Sequence, residues 1–363
     1  MNRKVEKGKT LLVDGPASVT VVSGKVEVFG FRVSQPKRRI VIREGKRMPF
    51  FAEENAELRI TLGKDASFEE ADGNTVPPSW AVAAETLQEL EKRPAVVMVV
   101  GGVDSGKTSL CTYLINRLLG AGCKVAILDC DVGQSDIGPP TTTGYARVAE
   151  PVTDLFALRA EDAFFVGVTS PSENVGRTLE GVAQMREKLQ RCPVDFVVVN
   201  TDGWVLGEDA LAYKIQLAET LAPDAFFCIQ QADELAPLVA ALAKFNPFAV
   251  ASPQTVRLRS REKRRNLREL GYLKYLADAK VKVWSLRRVT VEPTVLCQNQ
   301  LPLDGSLLGL HDAHGKFLGI GVLMEVDCER KTLKVRTAVS AEPALAVLGR
   351  VRVDERLHEV PSA

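Results

Sequence analysis

Between residue 5 and about residue 76, apolar and polar positions alternate in period 2, punctuated by Gly, Pro and Asp. The clearest runs start at Thr10 (Thr-Leu-Leu-Val), Ser18 (Ser-Val-Thr-Val-Val), Lys25 (Lys-Val-Glu-Val-Phe), Arg39 (Arg-Ile-Val-Ile-Arg) and Ala56 (Ala-Glu-Leu-Arg-Ile-Thr-Leu). Side chains two residues apart share one face of a strand, so these runs predict short antiparallel strands and a small β-sandwich. The stretch from Val76 to Trp80, Val-Pro-Pro-Ser-Trp, breaks the alternation. Ala81–Arg93 then has helical apolar spacing and reads as a connecting helix, which puts a boundary near residue 80.

The period changes after Pro94. Short apolar runs at 95–100, 124–130, 163–168, 194–200, 225–230 and 247–251 alternate with helical patterns at 107–120, 175–191, 209–221 and 233–244. That order predicts an α/β fold, a parallel sheet with helices on both faces. From about residue 281 the pattern is β again, which predicts a small β-barrel. The expected division is 1–80 β-sandwich-like, 81–280 α/β with the linker helix, and 281–363 β-barrel-like.

Composition narrows the class. The 363 residues are 45% hydrophobic and 26% charged, the profile of a multidomain globular protein. A formal net charge of +1 gives no global field for nucleic acid, so an anionic partner needs a local patch. The seven cysteines form no C-x-x-C pair and fall mostly in apolar segments, which reads as reduced core thiols of an intracellular protein and argues against a zinc site. The three histidines lie far in sequence from the glycine-rich motif described next, and are poor catalytic candidates. No apolar run reaches about 18 residues, and the start has no apolar signal core, so no membrane segment and a cytoplasmic location are expected.

Gly101, Gly102, Val103, Asp104, Ser105, Gly106, Lys107, Thr108 and Ser109 follow a buried-type strand and open a helix. This is a phosphate-binding loop in its required setting. The glycines let backbone N–H groups turn around a polyphosphate, Lys107 reaches the β- and γ-phosphates, and the Thr108 hydroxyl can ligate Mg²⁺. A nucleoside triphosphate is the expected ligand, and Lys107 is expected to be exposed in its absence. A second strand ends in Asp129 and Asp131, followed by Gln134. Carboxylates at that edge can hold Mg²⁺ or accept a proton from a nucleophile.

Three further constellations are open to two readings each. Thr169, Ser170 and Asn174 follow a strand and precede a helix, where they either donate to a phosphate or cap the helix. Trp204 lies just past a strand end, to stack on a nucleobase or to pack in a core. Residues 257–268 hold six arginines and Lys263 against Glu262. On a helix Arg261, Arg264, Arg265 and Arg268 share one face, with Arg259 at or before the first turn. Such a segment is either a solvated, RNA-touching surface or a lid whose arginines neutralise a transferring phosphoryl group.

Taken in order, the phosphate loop, Asp129-x-Asp-Val-Gly-Gln134, Thr169-Ser-Pro-x-x-Asn174, Thr201-x-Gly-Trp204, Arg259-x4-Arg264 and the glycine-rich run Leu308–Val322 resemble the RNA 5′-hydroxyl polynucleotide kinases. These are related to the kinase subunit of the mRNA cleavage and polyadenylation machinery and to nucleolar rRNA-processing kinases; the chain looks most like the archaeal-type single-chain members. The resemblance implies a central P-loop kinase domain between two small β-domains. It implies ATP and Mg²⁺, RNA 5′-OH ends as acceptor with DNA as an alternative, RNA-processing partner proteins, and a monomer. It also implies roles: Lys107 and Thr108 on the phosphates and Mg²⁺, Asp131 activating the 5′-hydroxyl, and Asp129 beside it where relatives carry Glu. Gln134, Thr169, Ser170, Asn174 and Trp204 would hold the acceptor, and Arg259 and Arg264 would be lid arginines. The alternatives are an assembly factor that binds ATP without turnover, and a small-molecule P-loop kinase or GTPase. An intact lid counts against the first, and the lack of an N-K-x-D signature against a GTPase.

Overall fold

The alternating N-terminal segment forms two antiparallel sheets. In this computed structural model, which describes residues 1–33, 38–293 and 304–360, one sheet has the order Asn2–Val5, Ala56–Leu62, Ala17–Ser23, Arg39–Ile42. The other runs Phe31–Val33, Val26–Val28, Arg47–Ala52, Lys9–Asp14, Phe68–Asp72. The connecting helix is Pro78–Gln88, earlier than the spacing predicts, because a proline in the first turn starts a helix rather than breaking it. Trp80 is therefore not in a linker. It is buried, donates its indole N–H to Ala251 O at 2.9 Å and meets Tyr113 edge-on at 5.8 Å.

The chain divides into two compact units. The first comprises Met1–Leu128, Arg147–Leu158 and Leu189–Lys263. Its parallel strands lie in the order Val125–Asp129 (the last residue belonging to the second unit), Phe196–Asn200, Ala95–Gly101, Ala225–Gln230, Phe248–Ala251. Ala95–Gly101 is buried at all 7 positions, with Phe196–Asn200 on one side and Ala225–Gln230 on the other. Each buried Val or Met there contributes roughly 1.5–3 kcal/mol, so the strand is a rigid base for the loop that follows. Within this unit the N-terminal sheets are tied down by polar contacts. Asn116 donates to Phe29 O and Val152 O, both at 2.8 Å, and Arg43 forms a two-pronged pair with Asp154 at 2.7 and 2.8 Å.

The second unit comprises Asp129–Ala146, Arg159–Lys188 and Arg264–Ala363. The sequence pattern missed one of its strands, Thr142–Val148, which pairs antiparallel with Asp162–Phe165 and makes the central sheet mixed. Thr142 and Thr143 are fully buried, so polar residues occupy positions where an apolar period was sought. The C-terminal strands form one sheet in the order Lys280–Ser285, Thr332–Thr337, Phe317–Asp327, Ser306–His311, Leu345–Val353, Thr290–Glu292, with Glu359–Val360 beside Leu345–Val353. One cluster includes Trp284, Leu310 and Val335; another joins Leu307, Ile320 and Val353 to Phe165 and to Tyr272 and Leu276 of helix Arg261–Leu276. The arginine-rich helix thus packs with the C-terminal sheet. Cys111, Cys123, Cys130, Cys192 and Cys228 are thiols, three of them buried, as expected, whereas Cys328, in the turn after Phe317–Asp327, departs from the expectation and is disulfide-bonded; a turn does not bury a thiol as a strand does. Cys297 lies outside the described residues. Among the described residues no helix is long and apolar enough to cross a membrane, and no cluster of His, Cys, Asp or Glu is arranged to hold a metal.

Candidate functional site

The phosphate loop is shaped by its backbone. Asp104 (φ 57°) and Gly106 (φ 100°) take left-handed conformations that turn successive N–H groups the same way, and Gly106 leads into helix Lys107–Gly120. Lys107 departs from expectation. It is only 7% exposed, and its Nζ donates to Gly102 O at 2.7 Å, so the ammonium lies across the loop that would bind phosphate. Thr108 is half-buried in the first helical turn. Ser105 Oγ is buried without a partner, while the Ser105 carbonyl accepts from Ser252 Oγ at 2.8 Å.

Arg259 sits on this loop. Its backbone N donates to Asp104 Oδ2 at 2.9 Å, its Nε to Oδ1 at 2.7 Å, and its terminal nitrogen lies 2.6 Å from Oδ1. Sequence reasoning placed Asp104 in the loop but gave it no work of its own.

Trp204 belongs to the same unit. It is partly buried, and its ring stacks on Tyr213 at 5.6 Å with an interplanar angle of 23°. The packing reading of Trp204 holds for one face of the ring, which lies on a ring of its own chain. Asp202 organises the turn that carries it, accepting from Trp204 N at 2.9 Å, Tyr213 OH at 3.0 Å and Lys214 Nζ at 2.8 Å. Tyr213 and Lys214 were not foreseen. A signal was available, because Lys214 falls in the apolar stripe of helix Glu208–Leu221 beside Ala210 and Leu217, and a lysine there needs a buried carboxylate.

In the second unit Asp129 is fully buried, with Oδ1 accepting from Asp131 N at 3.3 Å and Oδ2 from Asp136 N at 2.8 Å and Ser135 Oγ at 3.3 Å. Asp131 is partly exposed, and its Oδ1 accepts from Gly133 N at 3.1 Å and Gln134 N at 2.9 Å. Taken singly, the Thr108 hydroxyl and the Asp131 carboxylate each have the chemistry of an Mg²⁺ donor, whereas Asp129 is occupied in holding the turn. Gln134, expected to touch substrate, donates its amide to Gly133 O at 2.7 Å and to Arg264 O at 3.0 Å, tying helix Arg261–Leu276 to the carboxylate loop.

The Thr169–Asn174 segment crosses that loop closely. A Cβ at Gly133 would lie 2.4 Å from Thr169 O, so glycine is required there. Thr169 and Ser170 are half-buried, and Ser170 Oγ contacts Ser172 Oγ at 2.7 Å. Asn174 Oδ1 accepts from Arg177 N at 3.2 Å, so the capping reading holds for this residue. The C-terminal sheet supports the segment from behind: Phe165 fills the space a side chain at Gly309 would take, where a Cβ would meet its Cγ at 2.3 Å. Arg350 donates to Glu173 O at 3.1 Å, and its backbone N to Gly167 O at 2.8 Å. The glycine-rich run Leu308–Val322 thus serves the Thr169–Asn174 segment by packing. Arg268, expected on the basic face with Arg264, instead forms a two-pronged pair with Glu359 at 2.6 and 2.5 Å, which also accepts from Tyr272 OH at 2.9 Å.

A glycine-rich loop closing a buried parallel strand and opening a helix, within an α/β sheet, defines a P-loop nucleotide-binding protein. The family described as mRNA cleavage and polyadenylation factor CLP1 P-loop matches residues 101–278. The polyribonucleotide 5′-hydroxyl-kinase of Thermococcus kodakarensis is 30% identical over 338 residues, covering 78% of this chain and 95% of the relative. That of Pyrococcus abyssi is 29% identical, over 78% of this chain and 94% of its own length. The CLP1 homolog of Brugia malayi is 29% identical over 59% of this chain and 53% of its own. Among solved structures, Clp1p in complex with Pcf11p has the same fold, with a TM-score of 0.77, 17% identity and 97% of both chains covered. The chain belongs to the polyribonucleotide 5′-hydroxyl-kinase family, which shares its P-loop domain with CLP1.

Proposed function

We propose that this chain is an ATP-dependent kinase that transfers the γ-phosphate to the 5′-hydroxyl of RNA. What supports the reading is an intact phosphate loop, with Lys107 and Thr108 in place, in a chain that matches 95% of the Thermococcus kodakarensis kinase. Lys107 leaves Gly102 O for the β- and γ-phosphates when nucleotide binds. Asp131 orients the 5′-hydroxyl and takes its proton. Arg259 and Arg264 offset the charge that spreads over the transferring group, where electrostatic stabilisation has its largest effect. Thr108 and Asp131 would hold Mg²⁺, which supplies charge neutralisation between the phosphates. Thr169 and Ser170 grip the terminal phosphodiester, and Trp204 stacks on the terminal base. The segments 1–80, 81–280 and 281–363 serve as nucleotide-side β-domain, kinase domain and support for the acceptor segment.

The test is transfer of labelled γ-phosphate from ATP to 5′-OH oligonucleotides, with RNA and DNA, single- and double-stranded, as parallel arms. RNA ends are expected to be labelled. ATP binding with no labelling of any 5′-OH end would leave a nucleotide-binding protein without this activity.

A further inference from the structure

Phosphate binding gives no reason for a carboxylate at Asp104. A negative side chain in a loop built for polyphosphate repels the ligand unless a cation neutralises it. Arg259 supplies that cation, and the pair is close and sheltered: the Asp104 side chain is 2% exposed and that of Arg259 25%. The contact also reaches the main chain, since the same carboxylate accepts from Arg259 N.

The segment around Arg259 is irregular and open. Residues 256–260 have no regular secondary structure, and Leu258 is 85% exposed. Arg257 reaches Asp14 at 3.3 Å from a side chain that is itself 58% exposed. Ser260 Oγ then accepts from Lys263 N at 3.1 Å, capping the helix that begins at Arg261. Holding Arg259 therefore sets where this helix starts as well as where the guanidinium points.

We propose that Asp104 is a positioning residue that acts through Arg259, docking the arginine segment on the phosphate loop so that the guanidinium is already oriented when the phosphoryl group moves. The proposal rests on the kinase reading for its catalytic consequence, and on the geometry alone for the docking. Freezing a long side chain before reaction removes an ordering cost from the transition state.

The experiment is a double-mutant cycle with a fold-safe pair of variants. Asp104→Asn keeps volume and tolerates the left-handed backbone, and Asp104→Gly removes the side chain without strain at that φ. Arg259→Ala is expected to lower kcat by at least about a hundred-fold. Either Asp104 variant should lower kcat about ten-fold with ATP affinity equal or tighter, because a like charge near the phosphates has gone. On the Arg259→Ala background, the Asp104 substitutions should change kcat by less than about two-fold. Losses that multiply would mean Asp104 acts independently of Arg259, and a raised kcat would mean the pair restrains the arginine; either overturns the proposal. Hydrogen exchange over 256–260 separates this outcome from failure of the kinase reading. Faster exchange in Asp104→Asn supports docking even if no phosphate is transferred, and unchanged exchange overturns it.

Discussion

In the unit with the phosphate loop, charged side chains are held by other charged side chains: Arg259 by Asp104, and Lys214 by Asp202. In the other unit Arg268 is likewise held by Glu359, but the two carboxylates of the strand end, Asp129 and Asp131, accept from backbone N–H groups of the turn that follows them. The two arrangements suit different tasks. A cation resting on a carboxylate or a carbonyl can exchange that partner for a phosphate, so the nucleotide half is poised to rearrange. Backbone amides of a tight turn fix the direction of a carboxylate, so the Asp131 side chain is held in place by the turn it belongs to.

The largest effect should come from Lys107→Ala. If Lys107 exchanges Gly102 O for the phosphates, its loss removes the principal clamp on the transferring group and several kcal/mol of transition-state stabilisation, a rate loss of about a thousand-fold. The melting temperature should change far less than the rate, since the bond from Lys107 to Gly102 O lies within the loop and not between elements of the core. Transfer at more than about a tenth of the wild-type rate would mean that the lysine is a strut of the loop and that the nucleotide half does not rearrange.

Asp131→Asn probes the other half. Asparagine Oδ1 still accepts from Gly133 N and Gln134 N, so the turn persists while charge and basicity are lost. Single-turnover rates should fall by about a hundred-fold or more with nucleotide affinity within a few-fold of wild type. Parallel losses in both would recast Asp131 as mainly an Mg²⁺ ligand.

How far the sequence disclosed these halves follows from what each is made of. The phosphate loop was legible because its shape is written in consecutive residues between an apolar strand and a helix. Helix Lys107–Gly120 and strand Ala225–Gln230 have the bounds that spacing predicts. What escaped was polar and long-range. Thr142–Val148 buries threonines where strands were sought by apolar alternation, and Asp104 meets Arg259 across 155 positions. Arg268 reads as part of a basic face until Glu359, 91 residues on, is seen to hold it.

That pair makes the next prediction. Arg268 and Glu359 are 17% and 13% exposed, and the carboxylate raises the arginine's pKa against the desolvation that would lower it. Arg268→Ala strands Glu359 and should cost about 2 kcal/mol of stability, below the ~3–5 kcal/mol of a fully buried pair because both groups keep some water. Acceptor KM and its salt dependence should stay as in wild type. A salt-sensitive rise in acceptor KM with an unchanged melting temperature would restore Arg268 to an RNA-facing surface.

The smallest effect falls where the two principles meet in one residue. Trp204 is held by a main-chain bond to Asp202 and by a ring contact to Tyr213, and Tyr213 is itself held to Asp202 through its hydroxyl. Trp204→Ala should weaken oligonucleotide binding by about 1–3 kcal/mol if the ring stacks on a base. Tyr213→Leu should weaken it by a smaller amount, about 0.5–1.5 kcal/mol, by removing the ring that backs Trp204. Tyr213→Phe keeps that ring and removes only the bond to Asp202, so it separates the two supports. If the platform depends on the ring, Tyr213→Phe binds acceptor like wild type, with a modest loss in melting temperature. If instead Tyr213→Phe weakens binding as much as Tyr213→Leu, the Asp202 network sets the position of Trp204, and ion pairing governs the acceptor contacts of this unit as it does Arg259.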